Sequence, residues 1–309
     1  MKKRTSLLIL ISLSIIAFSA FVAFPRQGRA GTFRWKALKN ATYRGLTEIK
    51  GEVTLSNGVW KGKPFVEGGA SRPSVRLNPM FLRQGDLTGD GKPEACVLLS
   101  ENNGGSGVYV DLAVVSHQGN DIHNIATTFI GDRVQVIDGK VTTGKVVLTL
   151  LQQGPNDPSC CPGDLVRRTW KWTGKTLEEA KGKPARTRLS LAFLNGTTWF
   201  LNKWPSQPTL PKGVKITLHF NGHTLTGTCG CNQYAVTVKE GELPGEIKAI
   251  RTVLTTRKHC SPSLFSLQKH YLRDLRGTHF YGFYGGKLTL SYQTKDEYGM
   301  LLFEKVTAP

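Results

Sequence analysis

Acidic side chains are scarce in this 309-residue chain: 22 Asp and Glu stand against 41 Lys and Arg, a net charge of +19. That imbalance points to an anionic envelope component as the natural class of partner. The basic residues are scattered and no nucleic-acid-binding motif is present, so nucleic acid is not expected and a solvated basic surface is the simplest reading. No cysteine lies near the N-terminal apolar run, which argues against a lipid-anchored lipoprotein. No serine stands in a Gly-x-Ser-x-Gly elbow and no Cys-x-x-Cys pair occurs, so nucleophilic catalysis finds no support. Helical periodicity is missing between residues 41 and 175, which leaves an all-β reading for the first half.

The first thirty residues form a targeting signal in composition. A basic start, Met1 to Arg4, precedes the apolar run Leu7 to Phe24, and Gly28 and Ala30 are compatible with cleavage after Ala30. The run is about 18 residues, at the lower limit for a membrane span, so a signal peptide is preferred over an uncleaved anchor. Contact with a membrane is expected only through this segment if it is retained. The leader holds five basic residues and no acid, so residues 31–309 carry +14.

Glycine is common, at 34 residues, and strand-like runs are separated by Gly, Asn and Asp turns. Asn57-Gly58 and Asn221-Gly222 are two-residue hairpin signals, and Asp138-Gly139 separates two further apolar runs. The predicted fold class is mainly β, with two β-rich domains: a leader (1–30), a first domain (31–180), a charged linker (181–187, boundary near Arg186) and a second domain (188–309). In the second, Ser261-Pro262 is a helix start, and Leu264, Leu267, Tyr271, Leu272 and Leu275 follow on one face.

Three cysteines fall in each half. An even count in an exported chain suggests disulfides, and six allow 15 pairings. Cys160 and Cys161 are adjacent, which strains a mutual bond, so Cys96 is expected to pair with one of them. His219, His223, Cys229 and Cys231 are zinc-ligand types close in sequence, although the two histidines flank a hairpin. Asp132 and Arg133 are adjacent, and strand alternation predicts opposite faces and separate partners.

Residues 85–100, GDLTGDGKPEACVLLS, carry the most specific metal pattern. Counting from Asp86, a calcium loop takes Asp86, Thr88, Asp90, the Lys92 carbonyl and Glu94 as oxygen ligands, with Gly91 at the bend. Val97 stands where an EF-hand has its bidentate acid. The competing reading is a hydrogen-bonded Asx turn feeding a strand. Calcium is the one cofactor the pattern admits; no other is expected.

The second half resembles the META domain family, which includes the HslJ heat-shock proteins. Leu194, Gly196, Trp199 and Leu201 match its opening signature. Gly227, Gly230, Cys231 and Asn232 match its Gly-rich turn, and Thr255, Thr256, Arg257 and Cys260 match the stretch before its helix. The resemblance covers about residues 188–307. It implies a barrel-like β domain with one helix and no catalytic machinery. It also implies a Cys231–Cys260 disulfide, with Trp199, Gly230, Asn232, Thr256 and Arg257 as scaffold. Cys229 is an additional thiol, and Gln268 stands where the family often has Glu. The first half resembles an uncharacterised β-rich domain that accompanies META domains in bacterial envelope proteins. The chain therefore reads as an exported, non-catalytic envelope protein, periplasmic, cell-surface or secreted, with a binding or envelope-stress role. A calcium-dependent extracellular binding module and an undetected hydrolase are the alternatives.

Overall fold

The computed structural model describes residues 33–119, 121–182, 184–249 and 254–306. The apolar leader lies outside the described residues. Among those described, no helix is long and apolar enough to cross a membrane.

The first domain opens with a one-turn helix, α1 (Trp35–Leu38), and a small ribbon, β1 (Thr42–Tyr43) with β2 (Val53–Thr54). Five antiparallel strands follow in spatial order: β3 (Val59–Lys61), β4 (Pro73–Gly85), β5 (Glu94–Asn103), β6 (Tyr109–Gln118) and β7 (Asp121–Asp132). The Asn57-Gly58 turn ahead of β3 has positive φ at both residues, as a primed hairpin turn requires. A second sheet stacks on the first, formed by β8 (Gln135–Thr142), β9 (Lys145–Gln152), β10 (Asp164–Trp172) and β11 (Leu177–Glu179), with β12 (Arg186–Arg188) also pairing β10.

Strands β5 and β6 are buried on both faces. Cys96, Leu98, Leu112 and Val114 face a core shared with the second sheet. Ala95, Val97, Leu99, Ala113 and Val115 face a separate core capped by the 33–55 segment, with Leu38, Tyr43 and Leu46. This explains the unbroken apolar runs in these strands, which lack the alternation of a half-exposed sheet.

One local expectation is corrected by the strand register. Asp138-Gly139 is not a turn; it lies within β8, and the reversal comes at Gly144, with φ +77. A Cβ on Gly139 would lie 2.8 Å from Leu148 and 2.9 Å from the Phe81 ring, so the glycine serves core packing. The charged stretch expected as linker ends in β12, where Arg186 pairs with Asp164 at 3.3 Å and Arg188 with Asp157.

The second domain is one antiparallel sheet, ordered β17-β16-β15-β14-β13-β21-β20-β19, with β18 also on β16. Its strands are β13 (Thr198–Lys203), β14 (Thr217–Asn221), β15 (Thr224–Thr228), β16 (Gln233–Glu240), β17 (Ile247–Ala249), β18 (Leu254–Thr255), β19 (Thr278–Tyr284), β20 (Lys287–Gln293) and β21 (Tyr298–Lys305). The sheet curls until its ends meet at a Glu246–Phe280 bridge, giving a nearly closed barrel. Helix α2 (Pro262–Arg276) lays Leu267, Tyr271, Leu272 and Leu275 into the barrel core, capped by Ser261 and opened by Pro262.

The domains join along β8 and β19. The Phe283 amide donates to Gln135 Oε1 at 2.8 Å, and the Gly286 amide to the Val136 carbonyl at 2.9 Å.

Candidate ligand-binding cleft

The Asp86–Glu94 loop is a network of carboxylates accepting backbone amides. Asp86 Oδ1 accepts from Gly89 N at 2.7 Å and its Oδ2 from Gly91 N at 3.1 Å. Asp90 Oδ1 accepts from Lys92 N at 2.9 Å. Glu94 is buried, and its Oε2 accepts from Leu87 N and Thr88 N at 2.9 and 3.0 Å. This is the bonding of an Asx-type turn. Thr88 and Lys92 are the remaining two positions of the expected ligand set.

The cysteines pair differently from expectation in the first domain. Cys160 bonds Cys161, and Cys96 is free. Cys96 points from β5 into the inter-sheet core, and burial, then Glu94, pushes its thiol up to about 12. In the second domain Cys231 bonds Cys260 across a Cα separation of 6.1 Å. Cys229 is buried and its thiol faces the Asn232 carbonyl, so the four-residue zinc set is not assembled.

Around that second disulfide, Asn232 acts as a clamp. Its Oδ1 accepts from Thr256 Oγ1 at 2.7 Å and Lys258 N at 2.8 Å, and its Nδ2 donates to Gln268 Oε1 at 3.0 Å. Gln268 thus supplies the acceptor on α2. Gly230 takes φ +97 in the turn, whereas Gly227 lies in β15, where a Cβ would come within 2.0 Å of the Thr217 carbonyl. Trp199 is buried and donates through Nε1 to Thr197 Oγ1 at 2.7 Å. Arg257 is exposed and takes no part in these bonds.

Two groupings were not visible in the sequence. His270, Asp274 and Glu297 bring ligand-type atoms within 4.8 Å of one another. Arg273 already pairs with both acids, Trp204 Nε1 donates to Asp274 Oδ2 at 2.9 Å, and Ser206 Oγ to Glu297 Oε2 at 2.9 Å. Burial, opposed by Asp274, lowers the His270 pKa. A guanidinium at the centre supplies the positive charge a metal would bring, so the cluster ties α2 to the β20–β21 turn.

The second grouping is a cleft of about 650 Å³ between the domains. Four of its lining side chains are large, apolar and exposed: Val108 at 38%, Leu243 at 39%, Tyr284 at 43% and Met300 at 37%. The Cys160–Cys161 pair forms part of the wall. Asn78, Ser100, Gln135, Thr289 and Ser291 add uncharged polar groups, and no carboxylate lines it. Arg133 is the one permanently charged residue of the lining. It adopts φ +52 just past the end of β7, so strand alternation no longer applies. It pairs with Asp132, contrary to expectation, and donates to the Ser106 carbonyl at 2.6 Å. The volume lies in the range of small-molecule sites. The lining draws on residues from Asn78 to Met300, which no local motif marks.

The second domain is thus a nearly closed antiparallel barrel with a single packed helix and a disulfide-braced glycine turn. The META domain model matches it over residues 192–305, so the chain carries a META domain in its C-terminal half. No curated protein matches the chain. Among solved structures it is similar to the NMR structure of a protein from Burkholderia xenovorans, at 20% identity over 42% of this chain and 97% of that chain, with a TM-score of 0.30.

Proposed function

We propose that this is an exported, non-catalytic envelope protein whose two domains together hold a small, uncharged, largely apolar ligand. The cleft carries the reading. Exposed apolar side chains gathered in a concave site mark binding rather than chance exposure. The lack of carboxylates in the lining and the pairing of Arg133 with Asp132 favour a neutral ligand. Export is supported by the apolar leader and by two disulfides, which persist in oxidising compartments.

The test uses N-phenyl-1-naphthylamine, an uncharged apolar fluorophore. The oxidised full chain should bind it saturably. Val108→Trp and Met300→Trp, which fill the cleft from opposite domains, should each weaken binding about tenfold or more with an unchanged melting temperature. Undiminished binding in both variants sinks the reading. Cell fractionation with N-terminal sequencing tests export, with Gly31 expected as the first residue of the mature chain.

A further inference from the structure

The Cys160–Cys161 disulfide does little of what a cross-link ordinarily does. A disulfide stabilises a fold mainly by closing a loop of the unfolded chain, and neighbouring residues enclose none. The surrounding 153–163 segment is held by other bonds. Asp157 Oδ2 accepts from Gly154 N at 2.8 Å and Gly163 N at 2.7 Å. Gln153 Nε2 donates to the Asp157 carbonyl at 2.8 Å, and Arg188 pairs with the Asp157 carboxylate. The bond instead forms part of the cleft wall, with Cys160 exposed and Cys161 buried. The other pair, Cys231–Cys260, spans 29 positions, and the free thiols of Cys96 and Cys229 are buried. Exposure, cleft position and the lack of a cross-linking role therefore coincide at one pair of sulfurs.

We propose that Cys160–Cys161 is a redox-modifiable site whose oxidation state sets whether the cleft binds its ligand. This rests on the cleft being a binding site. The co-reactant is an external dithiol. Its thiolate attacks the exposed Cys160 Sγ, the Sγ–Sγ bond breaks, and Cys161 Sγ leaves and takes a proton. The second thiol of the reductant then attacks the mixed disulfide, frees Cys160 as a thiol and leaves the reductant as a disulfide. The protein gains two electrons and two protons. Reduction replaces one compact apolar surface with two separately rotating thiols, so the wall facing an apolar ligand changes in shape and volume.

The experiment measures N-phenyl-1-naphthylamine affinity for the full chain in three forms: wild type, Cys160→Ser/Cys161→Ser and Cys231→Ser/Cys260→Ser. Dithiothreitol should weaken binding about fivefold or more in wild type and in Cys231→Ser/Cys260→Ser. Cys160→Ser/Cys161→Ser should show the weak affinity without reductant and no response to it. Iodoacetamide trapping with peptide mass analysis should place the new thiols on Cys160 and Cys161. Equal affinity in oxidised wild type and Cys160→Ser/Cys161→Ser overturns this inference and leaves the cleft reading standing. Absence of saturable binding to the oxidised chain, or binding untouched by Met300→Trp, overturns the cleft reading and this inference with it.

Discussion

The two domains fasten loops to antiparallel sheets with different chemistry. In the first, buried carboxyl groups do it: Glu94, Glu101, Asp111, Asp157 and Asp164 are all buried, whereas among the described residues of the META domain Asp274 is the one buried acid. Glu101 accepts backbone amides from Thr47 at 2.7 Å, Glu48 at 3.1 Å and Ile49 at 2.8 Å, an anion in a nest of three successive N–H groups. At the glycine turn of the META domain the same task falls to a neutral amide, Asn232, and the Cys231–Cys260 bond. A carboxylate tie makes a loop answer to pH, and a disulfide tie makes it answer to redox conditions. In a chain so short of acids, burying five in one domain shows where acidic side chains are structurally required.

The largest effect is expected at Glu101. Glu101→Ala leaves three backbone donors without an acceptor, the Ile49 amide buried and the Thr47 and Glu48 amides half-buried. At roughly 1–3 kcal/mol for the buried one and roughly 1 kcal/mol for each of the others, the first domain should lose roughly 3–5 kcal/mol. Urea unfolding and amide hydrogen exchange should show protection lost at residues 44–50 and unchanged in the META domain. Equal loss in both domains would break the contrast. The next effect belongs to the second domain. Cys231→Ser/Cys260→Ser should cost roughly 2–4 kcal/mol, read as a lower C-terminal melting transition, with the first domain's transition unmoved. Dithiothreitol should reproduce that shift in wild type and produce none in the variant.

The contrast was only partly legible in the sequence. The META barrel announced itself through short motifs whose residues touch one another, such as Cys231 and Asn232 against Thr256 and Cys260. Helix α2 was equally plain, because its buried residues repeat at helical spacing. The acids of the first domain left a fainter trace. Glu101 and Asp111 interrupt apolar strands, which signals a buried partner, but the partner of Glu101 is backbone more than fifty residues away. Asp138-Gly139 misled because the glycine answers to Phe81 and Leu148 rather than to the local chain. The cleft joins Gln135 to Phe283 across 148 positions, a distance at which residue spacing carries no signal.

A smaller effect separates the two carboxyls at the buried tie. Asp111 Oδ1 accepts from Thr47 Oγ1 at 2.6 Å, while Oδ2 has no partner among the described residues. Burial, reinforced by Glu101, pushes Asp111 up to about 8. A proton on Asp111 turns it into a donor towards Glu101, which resolves the orphaned oxygen. An unfolded aspartate titrates near ~4, so between that value and 8 the folded state holds a proton the unfolded chain releases. The stability from this group is full below the unfolded value, falls as pH rises, and is gone once pH passes the folded value. Asp111→Asn keeps a donor facing Glu101 and should flatten the slope of unfolding free energy between pH 5 and 9. A slope identical to wild type would remove Asp111 as its source.

The smallest effect is expected at the Asp86–Glu94 loop, and it tests whether the carboxylate scheme extends there. Both oxygens of Asp86, Oδ1 of Asp90 and Oε2 of Glu94 already accept backbone amides. Calcium would have to compete with those donors, and Val97 supplies no twelfth-position acid. EDTA and millimolar calcium should therefore leave the first domain's melting temperature unchanged. Glu94→Gln should lower it alike in EDTA and in calcium, because it weakens the tie to Leu87 and Thr88. A calcium-dependent rise of several degrees that Asp86→Asn abolishes would instead make this loop a metal site. It would then separate from Glu101, whose nest is filled by backbone amides of its own chain.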